Sequence, residues 1–213
     1  MICVSIAELN VSEAIKIIES SELCEIRLDR IKFTDGDIEK LFNPKYKTIA
    51  TYRPVESVSD DERKRVLIAA VNAGASYVDI EVENNDSFKN EILDAAKLKN
   101  CKTIVSYHNY EKTPVIRELE QIMRWCFESS ADIAKIACHV DSVEGCSRLL
   151  SLYSYGNPII SIGMGHEGKI TRIAATLLGA PFTYASIDES KKTAPGQFDS
   201  VKLKTIIEMI RNS

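Results

Sequence analysis

A compact, single-domain α/β protein of the (β/α)8 TIM-barrel type is the fold this sequence predicts, spanning residues 1–213. Three observations carry that expectation. Eight β-rich runs recur at intervals of roughly 27 residues, the length of one strand, one helix and two short loops. The segments between them carry apolar residues at three- and four-residue spacing, as in PVIRELEQIMRWCFESSA. Within the runs, apolar and charged residues alternate: Val78, Ile80 and Val82 share one face of YVDIEVE, and Asp79, Glu81 and Glu83 share the other. Parallel strands ordinarily bury both faces in apolar contacts, so inward charges need a reason. An open doubly wound sheet is the competing architecture, but eight uninterrupted units suit a closed barrel better.

The elements follow in order. MICVSI (1–6) precedes a helix opened by Asn10 and Glu13 at capping-box spacing. LCEIRLD (23–29) and KTIATY (47–52) come next, and Ser59 with Glu62 starts a helix that Gly74 ends. YVDIEVE (77–83) and KTIVSYH (102–108) are the fourth and fifth runs. Thr113 followed by Pro114 suits the N-cap and first position of the next helix. DIAKIAC (132–138), PIISIG (158–163) and FTYASI (182–187) complete the set, with a helix stop at Gly179. No composition break or low-complexity linker divides the chain.

Composition excludes several classes of function. A net charge of −4 and a pI near 5.5 give no footing for nucleic-acid or anionic-membrane binding. No apolar run approaches the roughly 20 residues that span a bilayer. The N-terminus lacks a basic region and cleavage site, so no signal peptide is expected. Six cysteines without a C-x-x-C pair read as reduced core thiols of a cytoplasmic protein. Cys138, His139 and Cys146 do not have the spacing of a zinc site, so no metal is expected.

Lys135 lies in the middle of the apolar run DIAKIACHV. A strand-end lysine can snorkel to water. In a barrel, however, the active site lies at the C-terminal ends of the strands. There the same fold would gather Glu25 and Arg27, Arg53, Glu81, His108, Lys135 and, from the helix after the seventh strand, Arg172. The loop KKTAPGQ after the eighth strand would bring Thr193 and Gln197 over the mouth. Burial and nearby arginines both disfavour a lysine cation, and a free amine can attack a ketone to form an imine. A protonated imine acidifies the adjacent carbon. His108 is suited to remove that proton, with an acid such as Glu81 to orient it. Arginines supply forked donors for a carboxylate or hydroxyls. The set points to imine-assisted elimination on a small anionic keto compound.

GMGHEG (163–168) matches G-x-G-x-x-G, with Asp188 about 20 residues on, the pattern of a dinucleotide site. Too little chain follows it to build a nucleotide-binding sheet. An anion-binding loop beside Arg172 is the better reading, and no nucleotide cofactor is expected.

The chain resembles the type I 3-dehydroquinate dehydratases, the Schiff-base enzymes of the shikimate pathway. The resemblance rests on EIRLD (25–29), TYRP (51–54), VDIE (78–81), SYHNY (106–110), AKIA (134–137), KITR (169–172) and TAPGQ (193–197). It implies that Lys135 forms the imine, that His108 moves the protons, and that Glu81 holds the histidine. It further implies that Arg172 grips the substrate carboxylate and that Glu25, Arg27 and Arg53 meet ring hydroxyls. Thr193, where serine is common in the family, and Gln197 would come from the closing loop. The family needs no metal or nucleotide and commonly forms homodimers. Two alternatives stand beside this reading: a class I aldolase or transaldolase, and a non-catalytic barrel that binds a metabolite.

Overall fold

The computed structural model describes residues 1–213. Its strands are β1 (Ile2–Ile6), β2 (Cys24–Arg27), β3 (Thr48–Thr51), β4 (Tyr77–Glu81), β5 (Lys102–Asn109), β6 (Ile133–His139), β7 (Ile159–Met164) and β8 (Thr183–Ser186). Each is followed by its helix: α1 (Val11–Ser20), α2 (Asp35–Leu41), α3 (Asp60–Ala73), α4 (Asp86–Lys99), α5 (Ile116–Glu128), α6 (Val143–Ser151), α7 (Lys169–Leu177) and α8 (Ser200–Asn212). All strand pairs are parallel, and the ladder runs β7-β6-β5-β4-β3-β2-β1-β8. This is the (β/α)8 barrel, nearly closed: β7 and β8 are the two ends of the ladder.

Local chemistry explains most boundaries. Asn10 and Glu13 form a reciprocal capping box at the start of α1, and the Ser59 side chain accepts from the Glu62 amide at the start of α3. Gly74, at φ +117°, ends α3 in the left-handed region that glycine tolerates. One helix boundary differs from the sequence expectation. The helix after β5 begins at Ile116 with Val115 as N-cap. Thr113 does not cap it, because its hydroxyl donates to the His139 carbonyl at 2.6 Å.

The alternation along each strand sorts the core. Outward residues such as Cys24, Ile26, Val78 and Ile80 pack in one apolar cluster with residues of α1 to α4. Inward residues, among them Leu23, Ile49, Ile104, Ile133, Ile160 and Phe182, fill the barrel interior. Above them the filling turns polar. Glu25, Asp79, Lys135 and Tyr184, one from each even-numbered strand, meet around the Lys135 ammonium. This is the layered filling expected of such barrels, with charge in place of an apolar layer.

GMGHEG is a packing device. A Cβ on Gly168 would lie 2.5 Å from the Gly163 carbonyl carbon, so neither glycine can carry a side chain without parting β7 from α7. The Thr171 hydroxyl closes the turn, accepting from the Gly163 amide at 2.7 Å and donating to the Gly168 carbonyl at 2.6 Å. We expect Gly168→Ala to cost about 1–3 kcal/mol, the usual penalty of overpacking. Urea unfolding checks this; an unchanged midpoint would contradict the packing account.

Candidate active site

Eight of the nine side chains expected at the site line one cavity at the C-terminal end of the strands: Glu25, Arg27, Arg53, His108, Lys135, Arg172, Thr193 and Gln197. The ninth, Glu81, does not line it. A different groove lies between α1 and α8, beside the start of β1, lined by Met1, Ile2, Lys204 and Arg211 among others. It offers no nucleophile paired with a base.

Lys135 is only 5% exposed. Its Nζ donates to Asp79 Oδ2 at 2.9 Å, lies 3.6 Å from Glu25 Oε1 and sits 4.3 Å from the centre of the Tyr184 ring. The nearest charges are therefore carboxylates, not the arginines expected from the sequence. Both carboxylates are held in turn. Glu25 accepts from the hydroxyls of Ser5 at 2.8 Å and Thr51 at 3.1 Å. Asp79 accepts from the Ser106 hydroxyl at 2.6 Å and from Arg53 at 2.8 Å. Burial alone would raise the Asp79 carboxyl; Arg53, Lys135 and His108 with the Ser106 hydrogen bond outweigh it and hold the group well below the usual carboxylate range.

His108 stacks on Tyr110 at a centroid distance of 6.1 Å, and its Nδ1 has no hydrogen-bond partner. Burial, followed by the charges of Arg53 and Lys135, pushes the imidazole well below its ordinary value. It is neutral at physiological pH and free to accept a proton.

Glu81 departs from its expected place. Its carboxylate lies 3.7 Å from Arg53 and 3.6 Å from Arg63, and it makes no hydrogen bond with His108. Two guanidinium groups attract a carboxylate more strongly than a neutral imidazole does. Glu81 therefore steadies Arg53, which also donates to Ser106 at 3.0 Å. Arg27 is locked bidentately on Asp29 at 3.0 and 2.7 Å.

Arg172 is 1% exposed and makes no ion pair or side-chain hydrogen bond; its Nε is buried without a partner. Burial alone draws it down to about 10, which leaves it charged at neutral pH. A lone buried guanidinium is costly unless a ligand supplies the anion. The glycine loop does not share that task as the sequence suggested. Its Gly163 and Gly165 amides are taken by Thr171 and by the Pro195 carbonyl at 3.2 Å. Across the mouth, the Gln197 side-chain carbonyl accepts from the Thr193 amide at 2.8 Å and hydroxyl at 3.1 Å, so the two residues order the closing loop together.

Asp79 and Tyr184 also belong to the site and carry no motif of their own, although Asp79 shares the inward face with Glu81 and the alternation along β4 points to it. The six cysteines are free and buried. No group of three or more His, Cys, Asp or Glu residues is close enough to hold a metal ion.

Known proteins share this fold. A 3-dehydroquinate dehydratase of Methanococcus maripaludis strain C6 is 37% identical over 226 residues, covering 99% of this chain and all of the relative. A Clostridium difficile type I 3-dehydroquinate dehydratase structure superposes with a TM-score of 0.86 at 23% identity, over 99% of this chain and 92% of its own. The Aquifex aeolicus 3-dehydroquinate dehydratase gives 0.79 at 27% identity, over 100% and 98%. The sequence profile described as Type I 3-dehydroquinase matches residues 2–213. With its barrel, its buried lysine and this match from end to end, the chain belongs to the type I 3-dehydroquinase family.

Proposed function

We infer that this chain is a 3-dehydroquinate dehydratase, a hydro-lyase that converts 3-dehydroquinate to 3-dehydroshikimate and water through a lysine Schiff base, in the shikimate pathway of aromatic amino-acid biosynthesis. The observation that carries the substrate class is Arg172. A buried cation without a counter-ion, in the cavity that also holds an amine and a neutral imidazole, asks for a ligand bearing both a carboxylate and a ketone. A binding module would have no use for that amine. A sugar-phosphate aldolase would need a phosphate cradle, and two amides of the one glycine loop are engaged within the protein.

The roles follow from position. Arg172 takes the carboxylate and fixes the ring over Lys135. The Lys135 amine adds to the ketone, and loss of water leaves a protonated imine. Neutral His108 removes the proton from the carbon beside it, giving an enamine, and returns that proton to the departing hydroxyl. Elimination regenerates the imine, which water hydrolyses to free the product and the amine. Glu25, Arg27 and Arg53 receive the ring hydroxyls, and Thr193 and Gln197 close the mouth. Glu81 acts at one remove through Arg53.

All 213 residues form the one catalytic domain. A homodimer is the proposed assembly, with light scattering on the purified chain as its measurement. The cytoplasm is the proposed location, where reduced buried thiols are at home; no helix is long and apolar enough to cross a membrane.

Borohydride trapping tests the reading. With 3-dehydroquinate present, one adduct is expected, and peptide mapping should place it on Lys135. An adduct with a sugar phosphate but none with 3-dehydroquinate would transfer the chain to the aldolase class.

A further inference from the structure

We propose that Asp79 is the fixed counter-ion of the Schiff base, holding one positive charge at Lys135 Nζ through imine formation and again through product release. The assignment rests on the Schiff-base reading above and adds to it a residue with no part in that scheme.

The geometry singles out Asp79. Its carboxylate contacts the reacting nitrogen at 2.9 Å, while that of Glu25 is 3.6 Å away with its oxygens engaged by Ser5 and Thr51. The Asp79 side chain is fully buried and is gripped from two other strands, by Arg53 of the β3 end and Ser106 of β5. It can neither swing away nor exchange its partner for water.

The charge balance suits such a partner. The ammonium first gives one proton to neutral His108. The free amine adds to the ketone, and that proton leaves with the carbinol oxygen as water, so one positive charge stands on nitrogen before the condensation and on the protonated imine after it. Asp79 therefore meets the same charge before and after the condensation and need not move a proton itself. When His108 takes the proton from the adjacent carbon, the positive charge passes from nitrogen to imidazole. Asp79 then keeps Arg53 at 2.8 Å, so the carboxylate is not stranded in the enamine state. When the hydroxyl leaves with the proton, the charge returns to nitrogen and to Asp79.

The groups facing this pair come from nearly every strand. Cys3 faces it from β1, Glu25 and Arg27 from β2, Arg53 from the end of β3, and His108 from β5. Tyr184 of β8 presents its ring to Nζ, and β7 contributes the uncharged Ile160, Ile162 and Met164 to the interior. Burial raises the Cys3 thiol and Tyr184 phenol well above their ordinary values, so both stay uncharged through the working range. Glu81 of β4 also faces the pair, but its carboxylate is turned to Arg53 and Arg63 at 3.7 and 3.6 Å; of the carboxylates near the imine cation, Asp79 is the one in contact.

The experiment is the pH dependence of cyanoborohydride trapping and of kcat, with 3-dehydroquinate as substrate, in wild type, Asp79→Asn and Glu25→Gln. Removing the counter-ion should lower the proton affinity of the imine. The alkaline limb of both profiles in Asp79→Asn should move to lower pH by about one to three units, the range for an opposite charge at contact. In Glu25→Gln it should move less. A loss of the same proportion at every pH would mark Asp79 as merely structural and overturn the proposal. An equal displacement in the two variants would overturn it as well. Should Asp79→Asn fail to fold, the wild-type profile alone still decides: trapping should persist well above neutral pH, and collapse near neutrality would sink the counter-ion. Absence of any wild-type adduct would instead strike the Schiff-base reading itself.

Discussion

Lys135→Met eliminates turnover and leaves no borohydride adduct. The loss should be of order 10⁶-fold, the scale seen when a covalent nucleophile is removed from an enzyme. Methionine fills the space with a flexible apolar chain, so the interior below keeps its packing. What it cannot do is pair with Asp79 and Glu25, which meet the ammonium at 2.9 and 3.6 Å. Breaking a buried pair by removing one partner costs about 3–5 kcal/mol, and here the lower figure applies, because Arg53 still neutralises Asp79. Steady-state assay, mass mapping and urea unfolding separate the two effects. Activity within tenfold of wild type would remove Lys135 from the chemistry, whatever the stability did.

His108→Ala separates binding from proton transfer. The imine should still form and still be trapped on Lys135, while dehydration falls by about 10²–10⁴-fold, the usual contribution of general acid–base catalysis. Normal dehydration would take the histidine out of the base role. The wild-type pH profile offers an independent check, and its sign follows from the environment. Burial and then the Arg53 and Lys135 charges favour the neutral ring and push its pKa well below 6.5. The base is therefore already free at pH 6.5, and kcat/KM should stay level there and decline only further into acid. A half-maximal point at or above pH 6.5 would mean that the ring is exposed and unperturbed.

The strands were legible because two signals agree: alternation within a run and even spacing between runs. Their ends were less so. LCEIRLD reads as one strand to Asp29, but Leu28–Arg30 tighten into a 3₁₀ turn, which lets Asp29 reach back to Arg27. Thr113 and Pro114 have the local preference of a helix start, and a tertiary hydrogen bond to His139 overrides it. At the site, the membership of the ring followed from placement at one end of the barrel, on strand ends, the helix after β7 and the loop after β8, and eight of nine residues fall in one cavity. Pairing did not follow, because which acid meets which base depends on barrel stagger. Glu81 and Asp79 are two residues apart on one face, and only the packed barrel puts the deeper one against Lys135 and lifts the other toward Arg63. Tyr184 carries no sequence signal for a different reason: an aromatic residue in a buried strand ordinarily needs no explanation beyond packing.

The two ends of the strand ladder, β7 and β8, are tied at the mouth by the loops that follow them. The Gly165 amide donates to the Pro195 carbonyl, and Gly196 lies so close to Gly165 that a Cβ there would come within 2.1 Å of its carbonyl oxygen. The Thr193–Gln197 segment is therefore both the cover of the substrate cavity and a clasp across the β7–β8 seam, added to α7 and the interior side chains that pack on both strands. Thermodynamic linkage then makes the two duties inseparable. A molecule held beneath the cover stabilises the clasp by the same free energy with which the clasp favours its retention. Substrate occupancy and the hold of this loop across the seam are thus coupled by one free energy.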